Sequence, residues 1–288
     1  MIDASRFADA DYWQTFAPEL HITGGENLKQ LAPLDLPAGR DGEIAALLNR
    51  EGYIQQSGVT WGVDTTAMAA VVRRLSAKNV SPVFAFLFDE FWIPFARLHG
   101  LYESLLGKYA VLPNFWVWNV DPAKDDAGWK PHRDQGHIAL FADGSPKSLT
   151  TWIPLTEATP LNGCIYIVPA DRDPTYGTAN DTKMLFEYPA IRALPAAPGD
   201  FFIWNQATLH WGSRTSPRAT ESRVSMAFEF QRLDVPPFNG PLIAPRAAMP
   251  FARRLRLVAK QMLQYRHMYT IDPELERLAV ALLGATTP

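Results

Sequence analysis

Ser148-Leu149-Thr150-Thr151-Trp152-Ile153-Pro154-Leu155 is followed, after a turn at Asn162-Gly163, by Cys164-Ile165-Tyr166-Ile167-Val168. Two short runs of β-branched, aromatic and aliphatic residues parted by Asn-Gly read as strands around a turn. Runs of the same kind extend outward on both sides, at 114–120, 137–141, 190–194, 201–204 and 224–230, with turns at Asp143-Gly144-Ser145-Pro146 and Pro198-Gly199-Asp200. Many short strands at this spacing predict a β barrel or sandwich and argue against alternating βα units.

Helices flank this block. Residues 1–40, broken by Gly24, Gly25, Pro33 and Pro37, suggest a wrap-around arm. Helices are expected over 41–49 and from Thr65, as cap, through Met68, Val71, Val72 and Leu75. Residues 83–88 read as a strand. Phe91, Phe95, Leu98, Tyr102 and Leu105 share one face of a helix expected over 89–106. After a Pro-rich surface stretch, 251–266 forms an amphipathic basic helix, and Asp272-Pro273 opens a last helix ending near Gly284. The organisation expected is one domain over 1–288. Its parts are a mainly helical portion at 1–110, a β core at 111–233 and a C-terminal loop with helices at 234–288.

The chain has 288 residues, 47% hydrophobic and 20% charged, with 16 Phe, 9 Trp and 9 Tyr, which suits a packed core. A net charge of −3 offers no strong positive field to a nucleic-acid backbone. No long uncharged apolar run or signal-like leader is seen, so no membrane partner is expected. The single cysteine, Cys164, excludes a disulfide framework within the chain and a multi-cysteine metal knot. A cytoplasmic protein acting on a small molecule is the expectation, with a homodimer as the base-rate assembly.

The chemistry concentrates in Pro131-His132-Arg133-Asp134-Gln135-Gly136-His137. In extended chain, His132 and Asp134 point to one side and offer an imidazole nitrogen and a carboxylate oxygen to one ion. His210, in Leu209-His210-Trp211-Gly212-Ser213, is the best third ligand. Two imidazoles and a carboxylate make the facial triad of non-haem iron(II) oxygenases. Arg223 and Ser225 follow on one strand face, and a guanidinium beside a hydroxyl suits a carboxylate. Arg218 is the rival for that role, next to Pro217 in an expected loop. By strand parity Arg133 points away from the ligands, with a surface or salt-bridge role. His137 lies outside the triad. The residues Arg253, Arg254, Arg256, Lys260 and Arg266 read as the solvated face of a packed helix.

In their combined order, Pro131-His132-Arg133-Asp134, the 148–155 and 159–169 stretches, and Gly199-Asp200 through His210-Trp211-Gly212-Ser213 to Arg223 resemble the phytanoyl-CoA dioxygenase family. The similarity spans roughly 114–230. It implies a mainly β fold with flanking helices, a distorted double-stranded β-helix of the jelly-roll or cupin-like type. It also implies an oxidoreductase using iron(II), 2-oxoglutarate and dioxygen, with His132, Asp134 and His210 on the metal and Arg223 as anchor. Ser225 is similar to the serine of an Arg-x-Ser pairing in related oxygenases. Two departures stand out: Ala170-Asp171-Arg172 replaces a Gly-Ser-His-like turn, and the stretch from His210 to Arg223 is long. Asp134 occupies the place a halide would need in a halogenase-like variant.

Trp152 is assigned to the cofactor end, and Trp118, Asn119 and Gln135 to the substrate pocket. Trp61 and the polar loop 121–129 are candidates for a lid. The expected reaction is hydroxylation of a small metabolite, with release of succinate and carbon dioxide. The alternative is desaturation, epoxidation or cyclisation of a natural-product intermediate. A non-catalytic cupin-like metal binder and a zinc hydrolase are the readings of other classes. The latter lacks a His-Glu-x-x-His helix.

Overall fold

The computed structural model describes residues 4–37, 39–268 and 271–284. Among the described residues, eight strands form two antiparallel sheets. The larger contains β1 (Tyr53–Gln56), β2 (Tyr109–Val120), β3 (Ser148–Pro154), β6 (Phe201–Asn205) and β8 (Arg223–Arg232), in the order β1-β6-β3-β8-β2. The smaller contains β4 (Ile165–Val168), β5 (Arg192–Leu194) and β7 (Leu209–Gly212), in the order β5-β4-β7. The fold is of the double-stranded β-helix type.

Period-2 alternation decides what each strand shows to each side. On β8, Val224, Met226, Phe228 and Phe230 enter the main hydrophobic core. Their odd-numbered neighbours Arg223, Ala227 and Glu229 line a cavity on the other face. On β3, Leu149 and Ile153 join the core while Thr150 and Trp152 face the cavity. On β2, Phe115 and Val117 go to the core, and Trp116 and Trp118 to the cavity. Trp152, Ile165, Phe202, Trp204 and Ala227 belong to a second apolar cluster between the sheets. β3 is buried along its whole length although Ser148, Thr150 and Thr151 interrupt its apolar residues.

The helices are α1 (Ala10–Phe16), α2 (Arg40–Glu51), α3 (Thr65–Ala77), α4 (Ile93–Arg97), α5 (His99–Leu106), α6 (Phe251–Gln264) and α7 (Pro273–Gly284). Phe86 and Phe95 meet Phe228 with ring centroids 4.8 and 4.3 Å apart, joining the helical layer to the large sheet. Among the described residues no helix is long and apolar enough to cross a membrane.

Several elements differ from the sequence expectation. Residues 83–88 are no strand: Pro82–Leu87 is a 3-10 helix buried on every side, so its apolar run carries no periodicity. The helix expected over 89–106 is broken into a 3-10 turn, α4 and α5, with Pro94 in the first turn of α4, where its missing N–H is tolerated. Asp64, not Thr65, caps α3, accepting from the N–H groups of Thr66 and Ala67. The strand expected at 137–141 is a 3-10 helix over Gly136–Ala139. On α6, Arg254 leaves the solvated face: it is buried, lies 2.5 Å from Asp89 and donates to the Leu87 carbonyl.

Candidate metal centre

His132 lies in an irregular stretch, and β7 carries His210. Each backbone N–H donates to the other residue's carbonyl at 3.0 Å, forming a two-bond antiparallel bridge. Such pairs stand about 5.5 Å apart at Cα, and the two imidazole centroids are 4.4 Å apart. Asp134 Oδ1 lies 3.4 Å from His132 Nε2 and 3.6 Å from His210 Nε2. One ligand atom from each residue falls within 4.8 Å of the others.

Hydrogen bonds around the trio orient it. His132 Nδ1 lies 2.7 Å from the Lys130 carbonyl and His210 Nδ1 3.0 Å from that of Thr208, so each Nδ1 is the donor and each Nε2 keeps its lone pair. Asp134 Oδ2 accepts from Thr150 Oγ1 at 2.7 Å and Trp204 Nε1 at 2.9 Å, leaving Oδ1 free to face the imidazoles. Burial works against the Asp134 charge, yet His210, His132 and Thr150 hold the carboxyl well below the usual carboxylate range. Burial pushes His210 down to about 4, while for His132 the hydrogen bond and charge of Asp134 outweigh burial and raise its pKa. A neutral His210 and an ionised Asp134 are the states that metal binding requires.

The three residues share a cavity of about 270 Å3 with Arg223. The Arg223 side chain is 2% exposed, its Nη1 donates to Ser225 Oγ at 2.5 Å, and its Nε is buried without a partner. Burial pushes its pKa down to about 10, which leaves it cationic at neutral pH. Its guanidinium carbon lies 5.6 Å from the Trp152 ring centre. A buried cation with unspent donors, facing the cavity that holds the trio, is a fit for one end of a dicarboxylate. The donor set of two imidazoles and one carboxylate fits iron(II).

Of the other residues singled out from the sequence, Trp118, Gln135 and Trp152 line this cavity. Asn119 does not, because it follows Trp118 in a strand and therefore points to the opposite face. Arg218 is exposed in a turn and is not part of the lining. Ser225 is fully buried behind Arg223. Trp61 is no lid residue, since it is buried against Phe201. Loop 121–129 does reach the site: Trp129 lines the cavity, and its carbonyl accepts from the N–H of Gly212 at 3.0 Å. Arg133 pairs with Asp173 at 2.7 Å, and His137 Nδ1 lies 2.9 Å from Asp181. Thr150, Trp204, Asn114, Trp116, Glu229 and Tyr265 also line the cavity, beyond the residues expected from the sequence. Strand parity with Trp152 marks Thr150, and parity with Arg223 marks Glu229. Nothing local in the sequence ties Tyr265, beyond the end of α6, to the site.

A family model described as phytanoyl-CoA dioxygenase (PhyH) matches residues 40–221. Among solved structures, the chain is similar to the non-haem α-ketoglutarate-dependent epimerase SnoN from nogalamycin biosynthesis. Identity is 19%, with 75% of this chain and 95% of that one covered and a TM-score of 0.52. The non-haem monooxygenase ThoJ is 13% identical over 84% of this chain and 100% of its own, with a TM-score of 0.52. The α-ketoglutarate-dependent carbocyclase SnoK from nogalamycin biosynthesis is 17% identical over 70% and 96%, with a TM-score of 0.50. At these identities the likeness is one of fold. No curated protein matches the chain.

Proposed function

The chain belongs to the phytanoyl-CoA dioxygenase family, and from that premise we propose that His132, Asp134 and His210 hold its iron(II) while Arg223 anchors 2-oxoglutarate. It is an iron(II)- and 2-oxoglutarate-dependent enzyme acting on a small substrate. One observation carries the residue assignment: the buried Arg223, with no anionic partner among the described residues, lines the same cavity as three convergent ligand atoms. Bound iron and 2-oxoglutarate together supply, from dioxygen and with release of succinate and carbon dioxide, an oxidant able to take hydrogen from an unactivated C–H bond.

The chain's own residues supply placement. The two imidazoles and Asp134 would hold the metal together, and all three side chains line the cavity that would receive the substrate. Thr150 and Trp204 fix the Asp134 carboxylate by holding its second oxygen. Arg223 and Ser225 orient the far carboxylate of 2-oxoglutarate, and Trp152 closes that end against water. The remaining wall, with Trp116, Trp118 and Tyr265, seats a substrate of ring size and aims one of its carbons at the metal.

For the outcome, desaturation or ring closure of a natural-product intermediate is favoured over hydroxylation. The support is the shared fold with a carbocyclase from nogalamycin biosynthesis, and the epimerase of similar fold is named for another outcome than hydroxylation. Hydroxylation is the second reading, supported by the shared fold with a monooxygenase. A screen of cyclic metabolites for substrate-dependent succinate formation under labelled dioxygen tests both. A product lacking two hydrogens and carrying no label supports the first reading. An alcohol carrying one labelled oxygen overturns it in favour of the second. Asp134→Ala should abolish succinate formation throughout, and retained turnover contradicts the ligand assignment.

A further inference from the structure

β8 gives the cavity two chemically opposite ends. Arg223 and Glu229 lie on the same strand face with Ala227 between them, about 20 Å apart along the chain path. Glu229 is 4% exposed and lines the cavity. Trp116 Nε1 donates to its Oε1 at 3.1 Å, and Gln206 Nε2 to its Oε2 at 2.9 Å. Asn114 adds a further neutral hydrogen bond, no ion pair reaches Glu229 among the described residues, and the neighbouring charge that bears on it, Asp134, has the same sign. Around it stand three aromatic side chains. Trp116 and Trp118 stack at 5.9 Å with planes 10° apart, and Trp116 meets Tyr265 at 4.4 Å.

A buried carboxyl with neutral donors and no counter-cation is costly unless it takes up a proton or meets a cation. Burial first, and the charge of Asp134 second, push its pKa up to about 8. Aromatic faces around a carboxyl are a favourable setting for an organic cation, since ring and acid attract the same charge. We propose that the substrate carries a basic nitrogen, an amine or amidine, which docks in protonated form on Glu229 against the cavity wall formed by Trp116, Trp118 and Tyr265. The inference rests on the reading of the Arg223 end as the 2-oxoglutarate end, which leaves the Glu229 end for substrate. Glu229 thereby becomes a specificity-determining residue, and a neutral analogue of the substrate leaves its carboxyl without a counter-charge.

The test is calorimetric titration of the oxygen-free protein, loaded with iron(II) and 2-oxoglutarate, with 2-phenylethylamine and its neutral counterpart 2-phenylethanol. The wild type should bind the amine roughly tenfold or more tightly than the alcohol. Glu229→Gln should erase that preference. The variant keeps the side-chain volume and an amide oxygen for the Trp116 N–H, while Gln206 Nε2 retains Thr150 Oγ1 as acceptor at 3.1 Å. Its thermal transition and its visible keto-acid band at the iron report its fold and the cofactor end. Equal binding of the two probes, preference for the alcohol, no binding of the amine, or a preference that survives in Glu229→Gln overturns the proposal. The keto-acid band of the loaded protein, read beside the probe titration, separates the two readings. Amine preference with no keto-acid band removes the cofactor reading alone, and a band with no preference removes this one alone.

Discussion

Asp134 divides its two oxygens between two tasks. Oδ2 is held by Thr150 and Trp204, and Oδ1 faces the two imidazoles. Thr150→Val keeps the shape and removes one holding bond, so iron(II) affinity should fall by roughly 10- to 100-fold. A competitive chelator titration measures this, and unchanged affinity contradicts the role given to Thr150. Arg223 has no anionic partner among the described residues, so its contribution should appear when 2-oxoglutarate is bound. Arg223→Gln should raise the 2-oxoglutarate concentration for half-maximal succinate formation by about 30-fold or more. Exposed Arg218, changed to Gln, should leave it unaltered. Equal effects, or the reverse order, contradict the choice of anchor.

At the scale of elements, the site depends on a close crossing of loop 121–129 over β7. A Cβ on Gly212 would lie 2.6 Å from Gly128 Cα, and one on Gly128 would lie 2.3 Å from Gly212 Cα, so neither position has room for a side chain. Gly212→Ala should therefore cost about 1–3 kcal/mol of stability, measured by urea unfolding of the metal-free protein, and should shift Trp129 at the cavity mouth. An unchanged midpoint contradicts the crossing. Alternation on β3 and β8 was legible in the residues, which is why Trp152 and Arg223 fall on the cavity face. The same rule excludes Asn119 beside Trp118. Residues 83–88 and 137–141 were illegible for physical reasons. The first is apolar and buried all round, and the second turns at Gly136, whose φ of 69° breaks an extended run. Its Cβ would also strike Asp181, a contact that arises only in the folded chain. The pairing of His132 with His210 across a backbone bridge is likewise tertiary, and no local pattern announces it.

For the molecule as a whole, the buried titratable groups set how stability follows pH. The folded Glu229 carboxyl, pushed up to about 8 by burial and then by Asp134, holds its proton longer than in the unfolded chain. Its contribution is present below the ordinary carboxylate range and is lost as pH rises toward about 8. His210 acts in the opposite sense. Burial lowers it to about 4, so stability is lost as pH falls from about 6.5 toward that value. Glu229→Gln removes only the first effect. Urea unfolding of metal-free wild type and variant should therefore diverge between pH 5 and 8. The difference should move in favour of the variant by on the order of 1 kcal/mol per pH unit as pH rises, and a flat difference contradicts a buried, uncompensated carboxyl. The family and the cofactor pair were readable from the ordered motifs, whereas the polarity of the cavity, with Arg223 at one end and Glu229 at the other, emerged only from the folded sheet. The most direct test of the whole account is the visible absorption of the anaerobic protein titrated with iron(II) and then 2-oxoglutarate. A weak charge-transfer band of a chelated keto acid is expected, absent in Asp134→Ala and demanding more 2-oxoglutarate in Arg223→Gln. No band from fully iron-loaded wild-type protein at saturating 2-oxoglutarate contradicts it.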